Sequence, residues 1–311
     1  MKAAVITRYG DIDEVVGVAD VPTPALGPED VLIEVRAAGV NPIDHLIVKG
    51  FLAAGELTGP LVLGSEAAGV VSATGPEVTR FAVGDEVFTR VDPRVGGAFA
   101  EFATVHQDLV AAKPASLSFE EAASLPLAGL TAWQALTEQA TVGEGSRVLI
   151  HGGAGGVGSV AVQIAKALGA EVIATASTDS VDLVRDLGAD RVVDYRTERF
   201  DELVSDLDVV VDTVGGATQE RSFRVLKPGG TLVSVVPVAD AETRKAEWKV
   251  DARSFFMRPD GAQLARLADL VRDGRLRPLV QKVFPLGATA DALTGVQHGG
   301  ARGKTVLRVS T

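Results

Sequence analysis

A chain of 311 residues, 46% of them hydrophobic, is long enough for about two domains, each with a sizeable core. Its formal net charge of −11 argues against a nucleic-acid surface, which needs clustered Lys and Arg. Cysteine is absent, which excludes disulfides, thiolate zinc sites and cysteine nucleophiles. No apolar run approaches the ~20 residues of a membrane span. The start, MKAAVITRYG, lacks an apolar signal core. A soluble cytoplasmic chain is expected.

Residues 1–120 read as short strands: Ala3–Thr7, Val31–Ala37, Ala67–Ala73, Glu86–Thr89 and Phe99–Val105. Turn signals such as Gly75-Pro76 and Val83-Gly84-Asp85 divide them, so the pattern predicts an antiparallel, barrel-like domain. Near Ser118 the pattern changes. Phe119–Leu125 and Gly129–Gln139 read as helices divided by Pro126.

From Arg147 strand and helix alternate. The predicted strands are Val148–Ile150, Glu171–Ala176, Arg191–Val193, Asp208–Val214 and Thr231–Val236, the last reached through the turn Lys227-Pro228-Gly229-Gly230. Helices at Asp182–Leu187 and Gln219–Leu226 fill gaps between them. This alternation predicts a parallel, doubly wound α/β sheet. Val250–Phe255 is a candidate sixth strand. A helix at Asp260–Asp273, a strand at Leu279–Phe284, a helix at Thr289–Gln297 and a strand at Lys304–Val309 follow. This tail shares the mixed character of the N-terminal region and is expected to return and complete it.

The segment VLIHGGAGGVGSVAVQIAKALG, residues 148–169, is the most informative. Gly153, Gly155 and Gly158 stand in G-x-G-x-x-G register directly after an apolar strand. Val157, Val160, Ala161, Ile164, Ala165 and Leu168 then repeat at helical spacing up to Gly169. Glycines let a backbone turn tightly and approach a ligand closely. The N–H groups and positive dipole end of the following helix favour a pyrophosphate. Gly153, Ala154, Gly155, Gly156, Val157 and Gly158 are therefore candidate cofactor residues.

The segments AGVNPID (38–44), LGSEAAG (63–69), LPLAGLTAW (125–133), the glycine loop and VLKPGG (225–230) follow one another in an order that resembles the medium-chain dehydrogenase/reductase superfamily. Within it the chain is most similar to the zinc-independent NADPH:quinone oxidoreductase branch. The resemblance implies a chaperonin-10-like catalytic domain at 1–120 and 256–311 and a Rossmann nicotinamide-binding domain at 121–255. It also implies a homodimer formed through an edge strand near Val250–Phe255. In zinc-dependent relatives a cysteine stands where this chain has Asn41, and a histidine where it has Ser65. Neither is a competent zinc ligand, so no metal is expected. Without a Lewis acid, the acceptor should already be electron-poor: a quinone, or an α,β-unsaturated carbonyl. The alternatives are an enone or enoyl reductase of a biosynthetic pathway and a non-catalytic NADPH-binding redox sensor.

Asn41 is the first candidate donor to a growing oxyanion, or else it caps a loop before Pro42. Asp44 either orients Asn41 or the nicotinamide ribose, or holds a turn. Thr131 matches a family hydroxyl beside the nicotinamide, or bonds back to a helix carbonyl. Relatives carry an aromatic hydroxyl shortly after the Asn-x-x-Asp motif; here stand His45 and Leu46, and His45 is either a proton donor or a surface loop residue.

Ala176 replaces the acid that NAD-specific folds place at the tip of the second strand, which favours NADP(H). Ser177 and Thr178 can donate to a 2′-phosphate. Asp179 stands where NADPH-binding relatives carry a Lys, and Arg185, Tyr195 or Arg196 are candidate compensators. Thr213 and Val214 after the fourth strand, and Val236 and Val238 after the fifth, should face the far side of the cofactor. Phe255 and Phe256 are either a nicotinamide wall or core and interface residues. Lys304 falls where the family returns near the cofactor phosphates, or is a solvated lysine. The expected partner is a small molecule, with no nucleic acid and no membrane.

Overall fold

Apolar and polar residues alternate along Asp30–Val40, and at its end Ala37, Ala38, Gly39 and Val40 are all buried. That change of pattern marks where a one-faced strand enters the interior. This strand is central to a seven-stranded sheet in the computed structural model, which describes residues 1–53, 55–93 and 95–310. Two compact units result: Met1–Leu130 with Arg258–Gly274 and Pro278–Thr311, and Thr131–Met257 with Arg275–Arg277.

In the first unit the sheet runs Val280–Pro285, Lys304–Arg308, Asp30–Val40, Glu66–Thr74, Glu86–Arg90, Val110–Ala112, and Phe102–His106 also pairs with Asp30–Val40. Val280–Pro285 and Lys304–Arg308 are parallel; the other pairings are antiparallel. A smaller antiparallel sheet joins Gly17–Asp20, Lys2–Ile6 and Leu61–Val62. Val31, Ile33, Val35, Val71, Phe99 and Leu307 belong to the core. Gly64, at φ 84°, allows a close approach: a Cβ there would stand 2.1 Å from the Phe99 ring. The tail therefore closes this unit, with Thr305 to Arg308 in register with Val40 to Ala37.

The second unit is a six-stranded, wholly parallel sheet of Arg147–Ile150, Glu171–Ala176, Arg191–Asp194, Leu207–Asp212, Leu226–Ser234 and Asp251–Ser254. Numbered in that sequence its spatial order is 3-2-1-4-5-6, the doubly wound arrangement with a switch beside the first strand. Leu149, Ile173, Val210 and Leu232 are buried because helices cover parallel sheets.

Several elements differ from the sequence reading. Two helices flank the break at Pro126 as read, but they span Phe119–Ala123 and Pro126–Gln134: Pro126 opens the second, since a missing N–H is harmless in a first turn, and that helix then widens into a π-helical stretch, Ala135–Gln139. Lys227-Pro228-Gly229-Gly230 lies inside the strand Leu226–Ser234, whose register with the fourth strand shifts between Leu207 and Val209. Pro42–Val48 is a helix, not a loop. The exposed helix Ala241–Trp248 was not foreseen, for it has no apolar stripe.

Candidate cofactor and catalytic site

Residues 38–44 turn the end of the long strand into the helix Pro42–Val48. Pro42 occupies the first helical position and Asn41 the N-cap. The Asp44 carboxylate accepts the Asn41 backbone N–H at 2.8 Å and the Ser65 hydroxyl at 3.3 Å. Asn41, Asp44, Ser65, Glu66, Arg90 and Lys304 are all buried. The Asn41 amide Nδ2 donates to Glu66 Oε1 at 2.7 Å, while its Oδ1 accepts from Lys304. Lys304 Nζ also donates to Glu66 Oε1 at 2.8 Å and to the Val40 carbonyl at 3.1 Å. Glu66 Oε2 accepts the Leu127 N–H at 2.6 Å. Arg90 Nη1 donates to the Ser65 carbonyl at 2.6 Å. Gly39 makes room: a Cβ there would stand 2.2 Å from Glu66 Oε1. Burial pushes the Asp44 carboxyl up to about 6, against the Asn41 hydrogen bond and the nearby Arg90 and Lys304 charges.

This arrangement corrects several expectations. Asn41 is not a free donor, because both ends of its amide are engaged within the cluster. Lys304 is not a solvated lysine; it forms a buried ion pair with Glu66. His45 lies on a helix, half-buried, and its Nδ1 has no partner among the described residues. The cluster does not fit zinc: an ammonium already stands among the available oxygens, and soft or imidazole donors are missing from it. Among the described residues no group of three or more His, Cys, Asp or Glu side chains could hold a metal ion. Thr131 is buried inside the helix Pro126–Gln134.

In the second unit, the strand Arg147–Ile150 is followed by a turn at 151–155 and the helix Gly156–Ala167. Gly152 is left-handed, φ 67°. Its carbonyl accepts the Gly155 N–H at 2.8 Å. A Cβ on Gly158 would stand 2.1 Å from that same carbonyl, and one on Gly153 would stand 3.0 Å from Ala174 Cβ. The turn is thus a cradle of closely packed bare backbone, in front of a helix whose first N–H groups have no acceptor within the helix. A dinucleotide pyrophosphate fits it.

Ala176 ends the second strand, as expected, and Ser177 and Thr178 follow it. The Ser177 hydroxyl donates to Ser180 Oγ at 3.2 Å. The Thr178 hydroxyl bonds Asp194, whose carboxyl is held below its ordinary value by that bond first and by the Arg196 N–H as well. Asp194, at the tip of the third strand, went unnoticed in the sequence. Tyr195 is exposed, and Arg196 lies 3.9 Å from Asp179. Asp212 ends the fourth strand and accepts the N–H groups of Val214 and Gly215, each at 2.9 Å, through one oxygen. Its other oxygen accepts from Gln219 and Ser234. The Thr213 hydroxyl donates to the His151 carbonyl at 2.8 Å, and Val214 is exposed. The Val236 N–H donates to Ser234 Oγ at 3.2 Å, and Val238 packs against the core. Phe256 is exposed, and the strand Asp251–Ser254 lies at the sheet edge.

Comparison with known proteins follows this geometry. Residues 27–115 match the alcohol dehydrogenase GroES-like domain, and residues 187–307 match the zinc-binding dehydrogenase family. The chain is 34% identical to the mitochondrial NAD(P)H oxidoreductase RTN4IP1 of Danio rerio, over 99% of this chain and 91% of that protein. It is 34% identical to the chloroplastic NADPH-dependent alkenal/one oxidoreductase of Arabidopsis thaliana, over 99% of this chain and 79% of that one. The structure of the quinone oxidoreductase from Coxiella burnetii superposes with a TM-score of 0.90 at 34% identity, covering 100% of this chain and 99% of that one. No helix among the described residues is long and apolar enough to cross a membrane. With a glycine cradle on a 3-2-1-4-5-6 sheet, a GroES-like unit and these relatives, the chain belongs to the medium-chain dehydrogenase/reductase superfamily, among its quinone oxidoreductase-like members.

Proposed function

We propose that this chain is an NADPH-dependent reductase that transfers hydride to a quinone or a similarly electron-poor acceptor. The glycine cradle carries the reading: Gly158 and Gly152 approach so closely that only a bare backbone fits, at the end of a buried parallel strand. When bound, NADPH would supply the hydride for the acceptor, with water as the source of the balancing proton. The residues of the second unit bind and orient. Ala154, Gly156, Val157 and Gly158 would turn N–H groups to the pyrophosphate, while Gly153 and Gly155 shape the turn, their own N–H groups donating to the Thr175 and Gly152 carbonyls. Ser177 and Thr178 follow the second strand where a 2′-phosphate would sit, and their hydroxyls, which donate to Ser180 and Asp194, would have to rotate to meet it. Ala176 adds no carboxylate there, and Arg196 offsets Asp179. Thr213, Val214, Val236 and Val238 line the far strand ends, and Tyr195 stacks or bonds from the third strand. In the first unit, Asn41 and Asp44 act by fixing the helix start and the buried charges around it. Lys304 stabilises that cluster from the C-terminal strand. Thr131, the first residue of the second unit, would contribute its hydroxyl beside the nicotinamide.

The name of the Arabidopsis thaliana relative supports a second acceptor class, the enone. A panel separates the classes: NADPH loss is followed with 1,4-benzoquinone, with an alkenal and with a saturated aldehyde. Turnover with the quinone is expected, and turnover with the alkenal alone selects the second reading. Turnover with the aldehyde alone overturns the electron-poor acceptor. Tight NADPH binding with no turnover identifies a sensor. The homodimer and the cytoplasmic location belong to the same proposal; light scattering and cell fractionation test them.

A further inference from the structure

His151 stands between the first parallel strand and the glycine turn, and the chemistry proposed above does not use it. The side chain is fully buried, with its ring edge-on to Phe200 at 4.7 Å. Each ring nitrogen meets one hydroxyl: Nδ1 is 3.2 Å from Thr175 Oγ1, and Nε2 is 2.9 Å from Ser222 Oγ. The surroundings fix where each hydrogen points. The Ser222 hydroxyl donates to the Thr218 carbonyl at 2.8 Å, so its oxygen accepts from the ring, and Nε2 carries the hydrogen. Thr175 Oγ1 accepts the Gly152 N–H at 3.2 Å and turns its own hydrogen toward Nδ1. A single neutral tautomer therefore satisfies every group. A hydrogen on Nδ1 would face the Thr175 hydroxyl hydrogen. Burial also disfavours the charged ring, which Asp212 attracts and Arg221 repels.

We infer that His151 is a positioning residue for the dinucleotide: a neutral imidazole linking helix Gly216–Ser222 to the Gly152 N–H through Ser222 and Thr175. The chain of bonds ends on the left-handed residue of the turn, whose carbonyl both closes the turn onto Gly155 and abuts Gly158. The His151 carbonyl, which accepts the Thr213 hydroxyl, ties the same point to the fourth strand. A small displacement of Gly152 thus alters the whole cradle. This inference rests on the reading of the cradle as the NADP(H) site.

The test combines nitrogen NMR of the histidine rings with NADPH titration of the intact chain. The His151 signal is assigned by its loss in His151→Phe, a variant that keeps an aromatic ring without nitrogen. The expected wild-type ring is neutral at pH 7, protonated at Nε2 and bare at Nδ1. His151→Phe should weaken NADPH binding about tenfold, the order expected for one buried hydrogen bond, with kcat at saturation little changed. Thr175→Val should weaken it similarly, and the double variant no further, because one chain of bonds is broken once. Thr175→Val and Ser222→Ala carry the test if His151→Phe does not fold. A ring protonated at Nδ1, or undiminished NADPH affinity in these variants, overturns the inference. A wild-type chain that binds no NADPH overturns the reading of the cradle instead, and the tautomer alone then decides for or against the relay.

Discussion

Asn41 in one unit and His151 in the other sit among buried polar groups of opposite kinds. Around Asn41 the antiparallel unit encloses formally charged side chains of both signs, Asp44 and Glu66 against Arg90 and Lys304. Around His151 the parallel unit encloses a neutral relay whose hydrogens all point one way. An ionic cluster is stable only when complete, because removing one partner strands a charge away from water. A neutral relay loses hydrogen bonds when broken but strands no charge. The first arrangement suits a rigid support, and the second suits fine control of a backbone turn.

The largest effect should come from breaking the ion pair. Lys304→Met is expected to lose about 3–5 kcal/mol in chemical denaturation. Adding Glu66→Gln should restore part of that loss, since no charge is then left unpaired. An equal loss in the single and double variants would break the contrast between the units. Ser222→Ala in the relay should lose only about 1–2 kcal/mol.

The parallel unit was the more legible of the two in the sequence. Its strands are short runs of Val, Ile and Leu covered on both faces, so Glu171–Ala176 was read with its observed ends. The tail helix Thr289–Gln297 was read equally well. The glycine loop was legible because strand, turn and helix agree. The cluster was not. Glu66 and Lys304 are 238 residues apart, and nothing local announces their contact. Arg90 ends the strand Glu86–Arg90, whose four preceding residues gave no sign of a buried cation. The space above Gly39 exists only once Glu66 and Ala123 approach it. His151 did carry a local signal: an imidazole placed directly after an apolar strand, where another apolar residue would otherwise extend the core.

Titration sharpens the same contrast. Burial raises Asp44 from 3.8 to about 6, so the folded chain holds that proton more tightly than the unfolded one. Its contribution to stability is complete below about pH 4 and is lost as pH rises through 6. Burial lowers His151 from 6.5 to about 4, so its contribution is complete above pH 6.5 and is lost as pH falls through 4. Between pH 4 and 6 the two oppose each other. Calorimetry should show stability rising with pH across that window in Asp44→Asn, and falling with pH in His151→Phe. Parallel slopes in the two variants would contradict the assignment.

The smallest effect concerns cofactor choice. Asp179→Lys removes one negative charge beside Ser177 and Thr178 and adds a positive one. The ratio of NADPH to NADH affinity should rise several-fold, more at low than at high ionic strength. An unchanged ratio would move the 2′-phosphate site away from this loop.

The most direct measurement is a fluorescence titration of the unliganded chain with NADPH, run beside Gly158→Ala with circular dichroism as a check on folding. Saturable binding in the wild type is expected, together with its loss in a folded Gly158→Ala, whose new methyl group would meet the Gly152 carbonyl. A wild-type chain that does not bind the dinucleotide, or a folded variant that binds it equally well, would contradict the account.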